Sequence, residues 1–160
     1  MAAATAGHED SEISSVISGE QAEMSEIIDI QFDIPGGIVP WGRAGGNGSM
    51  RFTPAKVRNY QAVIRQYAAD AMGDRPLIDG PCILDINGRW PWPKSISQKK
   101  RLLIPNGYKK SVPDSDNLCK VLMDAMNKIV WTDDARVAVL HVTKKYSDKP
   151  GVHVLIREIV

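Results

Sequence analysis

The chain of 160 residues holds only two cysteines, Cys82 and Cys119, far apart and outside any C-x-x-C pair. With no leader-like apolar segment ahead of them, they read as reduced thiols of a cytosolic protein and not as a disulfide framework. Nor does any apolar run approach the roughly 20 residues needed to cross a bilayer, which sets membrane roles aside. Positive charge is missing from the first 33 residues, which carry eight acids and no Lys or Arg. The remaining 11 of 19 acids face all 20 Lys and Arg, so residues 34–160 carry +9 although the whole chain is +1. Such a surplus suits a polyanion partner, although a merely soluble basic domain would show the same charge.

The length allows one sizeable core and is short for two. Residues 1–25, rich in Ala, Ser, Gly and Glu without a settled period, are expected to form a disordered acidic arm, leaving 26–160 as the folded domain. From Ile28 the apolar residues Ile28, Ile30, Phe32 and Ile34 alternate with polar ones, the period of a half-buried strand ended by Pro35-Gly36-Gly37. A glycine-rich loop follows as far as Met50. Thr53 offers an N-cap and Pro54 a first helical residue, and Val57, Tyr60, Ile64, Ala68 and Ala71 then share one helical face before Gly73.

A second strand is expected over Pro81 to Asn87, with Cys82, Leu84 and Ile86 on one face, and a loop over 88–113. A second helix is predicted from about Asp116 to Ile129. Ala138 to Lys145 and Val152 to Ile159 read as strands joined by a hairpin-like Ser147-Asp148-Lys149-Pro150-Gly151 connection. The order strand, helix, strand, helix, strand, strand predicts a single α+β domain with a mixed sheet and two main helices.

Four acids gather at element ends: Asp114 and Asp116 where the second helix begins, Asp133 and Asp134 after it stops. An Asp at a helix start also caps orphan N–H groups and suits the positive end of the dipole, and Asp-Asp after Trp131-Thr132 is equally a turn. A helix of this length spans roughly 21 Å, so the two pairs meet only if something beyond the helix brings them together. Clustered acids facing a basic surface are what Mg²⁺-assisted phosphodiester hydrolysis requires, because the ion takes a few carboxylates plus waters and phosphate oxygens. Lys120, one turn after Asp116 and clear of the apolar stripe, could serve the same site or form an ordinary helix ion pair. The loop over 88–113 mixes Trp90 and Trp92 with Lys94, Lys99, Lys100, Arg101, Lys109 and Lys110, a composition suited both to a solvated linker and to stacking with phosphate contact. His141 and His153, with no nearby partner in sequence, read as solvent-face residues, and Trp131 as packing.

Val112-Pro113-Asp114-Ser115-Asp116-Asn117-Leu118-Cys119-Lys120, then Asp124-Ala125-Met126-Asn127, then Trp131-Thr132-Asp133-Asp134-Ala135-Arg136-Val137 resemble P-D-x-D-N-L-x-K, D-A-L-N and D-D-x-x-V, the pattern of the RusA family of Holliday-junction resolvases. Phe32 to Gly36 with Val39, Pro40 and Arg43, then Phe52 to Lys56, Pro93-Lys94-Ser95, Lys99 to Arg101 and Lys144 to Tyr146 extend the resemblance over about residues 30 to 160. It implies a homodimeric endodeoxyribonuclease that nicks a four-way junction symmetrically. Asp114, Asp116 and Asp134 would be metal-binding acids, Asp133 a contributor and Lys120 the essential cation, with Mg²⁺ as cofactor and Mn²⁺ as a substitute. Arg43, Lys94, Lys99, Lys100, Arg101, Lys109 and Lys110 would contact DNA, in the cytoplasm of a bacterial or phage-infected cell. The alternatives are a nuclease for flaps, forks or other branched DNA, and a junction-binding protein without cleavage. Val112 in place of a common Lys or Arg, Ser115 in place of an apolar residue, and the lack of a second arginine soon after Arg43 bear on phosphate contacts and substrate preference.

Overall fold

The computed structural model describes residues 29–42 and 52–159, so the acidic arm, Ile28 and Arg43 lie outside the described residues. Strand β1, Asp29–Pro35, buries Ile30, Phe32 and Ile34 and turns Asp29, Gln31 and Asp33 outward, as its alternation dictates. Helix α1, Ala55–Met72, begins one residue later than the sequence suggests. Pro54, not Thr53, is its cap: the Pro54 carbonyl accepts from the N–H groups of Val57 and Arg58, and the Thr53 carbonyl takes the Arg58 guanidinium instead. Strand β2, Cys82–Trp90, runs three residues past the expected end.

The segment expected to be loop holds a short helix α2, Gln98–Leu102, and a 3₁₀ turn over Pro105–Gly107. Five residues are too few to reveal a helical period, and the local signal is the Ser97 hydroxyl, which caps the backbone N–H of Lys100. Helix α3, Ser115–Met126, stops three residues short of Ile129 because Asn127 leaves the helical conformation at a ψ of 132° and Lys128 follows with a left-handed φ of 64°, turning the chain back on itself. A 3₁₀ turn over Asp134–Arg136 leads into β3, Val137–Tyr146, and β4, Gly151–Glu158, closes the chain.

The sheet order is β1-β4-β2-β3, with β4 antiparallel to β1 and β2 while β3 runs parallel to β2. The expected hairpin between β3 and β4 is therefore overturned: β2 lies between them, and the Ser147–Pro150 turn steps across it, tied down by the Ser147 N–H to the Trp90 carbonyl. Over the described residues the architecture is α+β, one domain with a mixed four-stranded sheet and three helices.

Helices α1 and α3 pack on one face of the sheet, over Val152, Val154 and Ile156 of β4 and Leu84 and Ile86 of β2, all essentially buried. Each such side chain contributes roughly 1.5–3 kcal/mol relative to exposure. Gly88 sets how close α3 can come, since a Cβ there would lie 2.6 Å from the Trp90 ring and 2.9 Å from Leu118. The first turn of α3 thus rests on β2 at the level of Gly88, which pairs with Lys144 of β3.

Candidate active site

Asp114 is the N-cap residue of α3, yet its side chain makes no capping hydrogen bond. Its carboxylate is exposed, as is that of Asp116 in the first turn. The capping account of this pair therefore loses its main physical support. The bend that leads into Asp114 is fixed by Lys144, which donates to the carbonyls of Ser111 at 2.9 Å and Pro113 at 2.7 Å. Lys109 adds a bond to the Val112 carbonyl and a second to the Ser111 hydroxyl. Lys120 lies one turn beyond Asp116, 3.5 Å from Asp124 and 4.8 Å from the centroid of the Trp41 ring. The backbone N–H of Trp41 donates to the Asn117 carbonyl, so the segment after β1 crosses α3 close to its acidic end.

Asp133 and Asp134 belong to a different place. Asp133 caps the 3₁₀ turn, its carboxylate accepting from the Ala135 N–H at 3.0 Å. That bond, with the Lys128 and Arg136 charges, holds its carboxyl below the usual range against slight desolvation. Asp79, just ahead of β2, pins this turn: it accepts from the Thr132 hydroxyl at 2.7 Å and pairs with Arg136 at 3.1 Å. Trp131, fully buried, anchors it from below, as its packing role requires.

The acids of one chain do not converge. Asp114 and Asp116 sit at the Gly88 and Lys144 level of the sheet, whereas Asp133 and Asp134 precede Val137, which pairs with Cys82 at the other end. Six residues of strand, from Cys82 to Gly88, separate these levels by roughly 20 Å. The rise of α3 gives about the same distance. Accordingly, among the described residues no three His, Cys, Asp or Glu side chains are placed to share a metal ion.

The cationic residues gather at the Asp114 end. Arg101 lies 5.1 Å over the ring of Trp92, which stacks on Tyr146 at 5.0 Å between centroids. Lys109 faces both Trp90 and Tyr146, and Lys145 faces Tyr108. Trp92 is thus engaged in packing. Lys94, Lys99, Lys100 and Lys110 are exposed. Lys144, Trp41 and Asp79 were not singled out from sequence as parts of either acidic end, because their partners lie far along the chain and leave no local pattern.

On the face of the sheet turned away from α1 and α3 the two histidines lie toward solvent, as read from the sequence, but each has a partner distant in the chain. His153 pairs with Asp33 at 3.0 Å and His141 with Asp85 at 2.6 Å, partners 120 and 56 residues away. Arg89 completes the first pair at 2.6 Å and Arg157 the second at 2.7 Å. Partial burial pushes the Asp85 carboxyl up, but hydrogen bonds from Arg157 and His141, with their charges, outweigh it and leave the pKa below its ordinary value. Asp33 follows the same pattern with His153 and Arg89. A carboxyl whose folded pKa is depressed stabilises the fold above its unfolded pKa of about 3.9, and loses that contribution as pH falls through the lower folded value. Thermal melting should therefore drop as pH is taken below about 4, and Asp85→Asn should flatten that drop; an unchanged acid profile in this variant would remove Asp85 from the account.

The family model described as "Endodeoxyribonuclease RusA" matches residues 38–157. The chain is also similar to a protein of Bacillus subtilis (strain 168) described as "Uncharacterized protein YqaN", with 34% identity over 138 residues, 81% of this chain and 96% of that protein. Among the described residues no helix is long and apolar enough to cross a membrane.

Proposed function

This chain belongs to the RusA family of endodeoxyribonucleases, and on that footing we propose that it is a Mg²⁺-dependent, structure-selective nuclease that resolves four-way DNA junctions by paired nicks as a homodimer. The observation that carries the reading is the pair of exposed carboxylates at Asp114 and Asp116, free of capping bonds at Asp114 and set at the cationic end of the domain. Two hard oxygen donors of this kind fit Mg²⁺, which is usually held by one or two carboxylates and completed by waters and phosphate oxygens. When bound, the ion supplies neutralisation of phosphate charge and Lewis-acid polarisation. Lys120, one turn away, adds a cation for the charge that builds on the phosphate, and the lysines of the 91–110 segment hold the backbone of the DNA.

The separation of the two acid pairs gives the dimer a chemical purpose. Among the described residues the outer edge of β3 is open except near its end, where Tyr108 bridges to Lys145, and Leu140 on that strand is 42% exposed. Two copies meeting about a two-fold axis there would lay the start of one α3 beside the end of the other. Asp114 and Asp116 of one copy would then share a site with Asp133 and Asp134 of the second, the turn pinned by Asp79 holding the latter pair in place.

The same separation favours a second reading if the protein remains monomeric: a junction-binding protein that does not cut. Incubating a synthetic four-way junction with and without Mg²⁺, beside a linear duplex and a fork of the same sequence, decides between them. The expected result is symmetric nicking of the junction only with Mg²⁺. Binding without cutting in either condition would overturn the nuclease reading, and equal cutting of the fork would broaden the substrate to branched DNA at large.

A further inference from the structure

Leu102 and Leu103 are the most exposed large apolar residues of the described chain, at 88% and 80%. Singly exposed leucines are ordinary, but here two stand side by side at the tip of a five-residue helix whose other residues include Lys99, Lys100 and Arg101. The helix is held firmly. Ser97 caps it, Arg101 reaches Asp148 at 3.5 Å, and the same guanidinium lies on Trp92, itself stacked on the last residue of β3. Gly107 takes a left-handed φ of 68°, where a Cβ would lie 3.7 Å from the Trp92 ring, and Tyr108 and Lys109 then bond back to β3. The leucines thus project from a braced platform at the Asp114 end of the domain.

We propose that Leu102 and Leu103 form an apolar wedge that enters the base stack at the branch point of the DNA. The proposal rests on the nuclease reading above and names the feature by which that site recognises a branch. An apolar side chain inserted between bases costs a few kcal/mol of lost stacking on continuous duplex, and less where bases are already partly unstacked. A wedge therefore discriminates in favour of branch points. Charge complementarity selects nucleic acid as the occupant: exposed Lys99 and Lys100 immediately precede the leucines on the same short helix, with exposed Lys94 and Lys110 on the same segment, cations suited to the phosphates beside an opened step.

The test uses the full chain without metal, so that binding is read apart from cleavage. A four-way junction carries 2-aminopurine beside the crossover, and a linear duplex carries it at the same sequence position. The parent protein should raise the fluorescence of the junction and leave that of the duplex unchanged. Leu102→Ser/Leu103→Ser should abolish the rise and reduce the preference for junction over duplex by about tenfold, with unaltered melting of the protein. Leu102→Met/Leu103→Met, which keeps an apolar tip, should retain the rise. If the double serine variant opened the junction as the parent does, the wedge would be wrong while the nuclease reading stood. Failure of the parent to bind any DNA would sink both. A change in solution mass of the serine variant, with fluorescence unaffected, would show that the leucines cover a second copy instead.

Discussion

Asp116→Asn is expected to lower junction cleavage in Mg²⁺ by about a hundredfold or more, on the scale seen when one electrostatic contact to a reacting phosphate or oxyanion is lost. The side chain keeps its size and loses the charge that a divalent ion needs. Its structural contribution is small by comparison. Asp116 lies in the first turn of α3 and is not its cap, so only the interaction with the helix dipole is lost, about 0.3–1 kcal/mol. For a domain of this size that moves the melting midpoint by a few degrees at most, too little to explain lost activity at 25 °C. Junction binding without metal should survive and even tighten, since one carboxylate fewer repels the phosphates. Cleavage near the parent rate, measured on the same junction, would return Asp116 to a purely helical role.

Mixing two inactive variants should restore cutting. If the site is shared between copies, Asp116→Asn and Asp134→Asn are each inactive alone, but a mixed dimer joins the intact Asp114 and Asp116 of one chain to the intact Asp133 and Asp134 of the other. Its second site carries both substitutions. Equal mixing after subunit exchange yields about half mixed dimers with one working site each, so total nicking should return to about a quarter of the parent level. The products should be single nicks and not resolved duplexes, because no dimer holds two working sites. Activity of the mixture no greater than the sum of the separate variants would show that no site is shared between copies and would remove Asp133 and Asp134 from the site of Asp114 and Asp116. The mass of the unmixed protein in solution bears on the same question, for a persistent monomer leaves the pairs roughly 20 Å apart.

What could be seen in the sequence was whatever repeats locally. The alternation at Ile30, Phe32 and Ile34 and the stripe from Leu118 to Met126 located β1 and α3 because burial of one face imposes its period on neighbouring residues. The acids were legible for a different reason: their spacing within the three motifs resembles that of a known family, and 38–157 match its model. Pairings across the sheet have no such imprint. Nothing near Val152 says that it will lie against Gly88 and not against β3, and so the hairpin expected from a short turn gave way to a strand inserted from far upstream. His141 and His153 looked partnerless for the same reason. Helix α2 was too short for any period, and the end of α3 was decided by the backbone at Asn127, which turns extended, and at Lys128, where a residue other than Gly or Asn adopts a left-handed conformation.

The position of β4 has a consequence for how the molecule is made. Its residues 151–158 are the last of the four strands to be translated, yet they occupy the interior of the sheet and are bonded on both sides, to β1, the first of them, and to β2. Until they arrive, β1 has no neighbour, and the apolar faces of α1 and α3 have only a fragment of sheet to cover. Pairs such as Asp29 with Arg157 close loops of more than a hundred residues, and loop closure on that scale is repaid only when the whole sheet forms. The acids at both ends of α3 are therefore translated well before they are ordered, and a nascent chain or one cut before Gly151 carries every residue of the candidate site without the frame that would hold them.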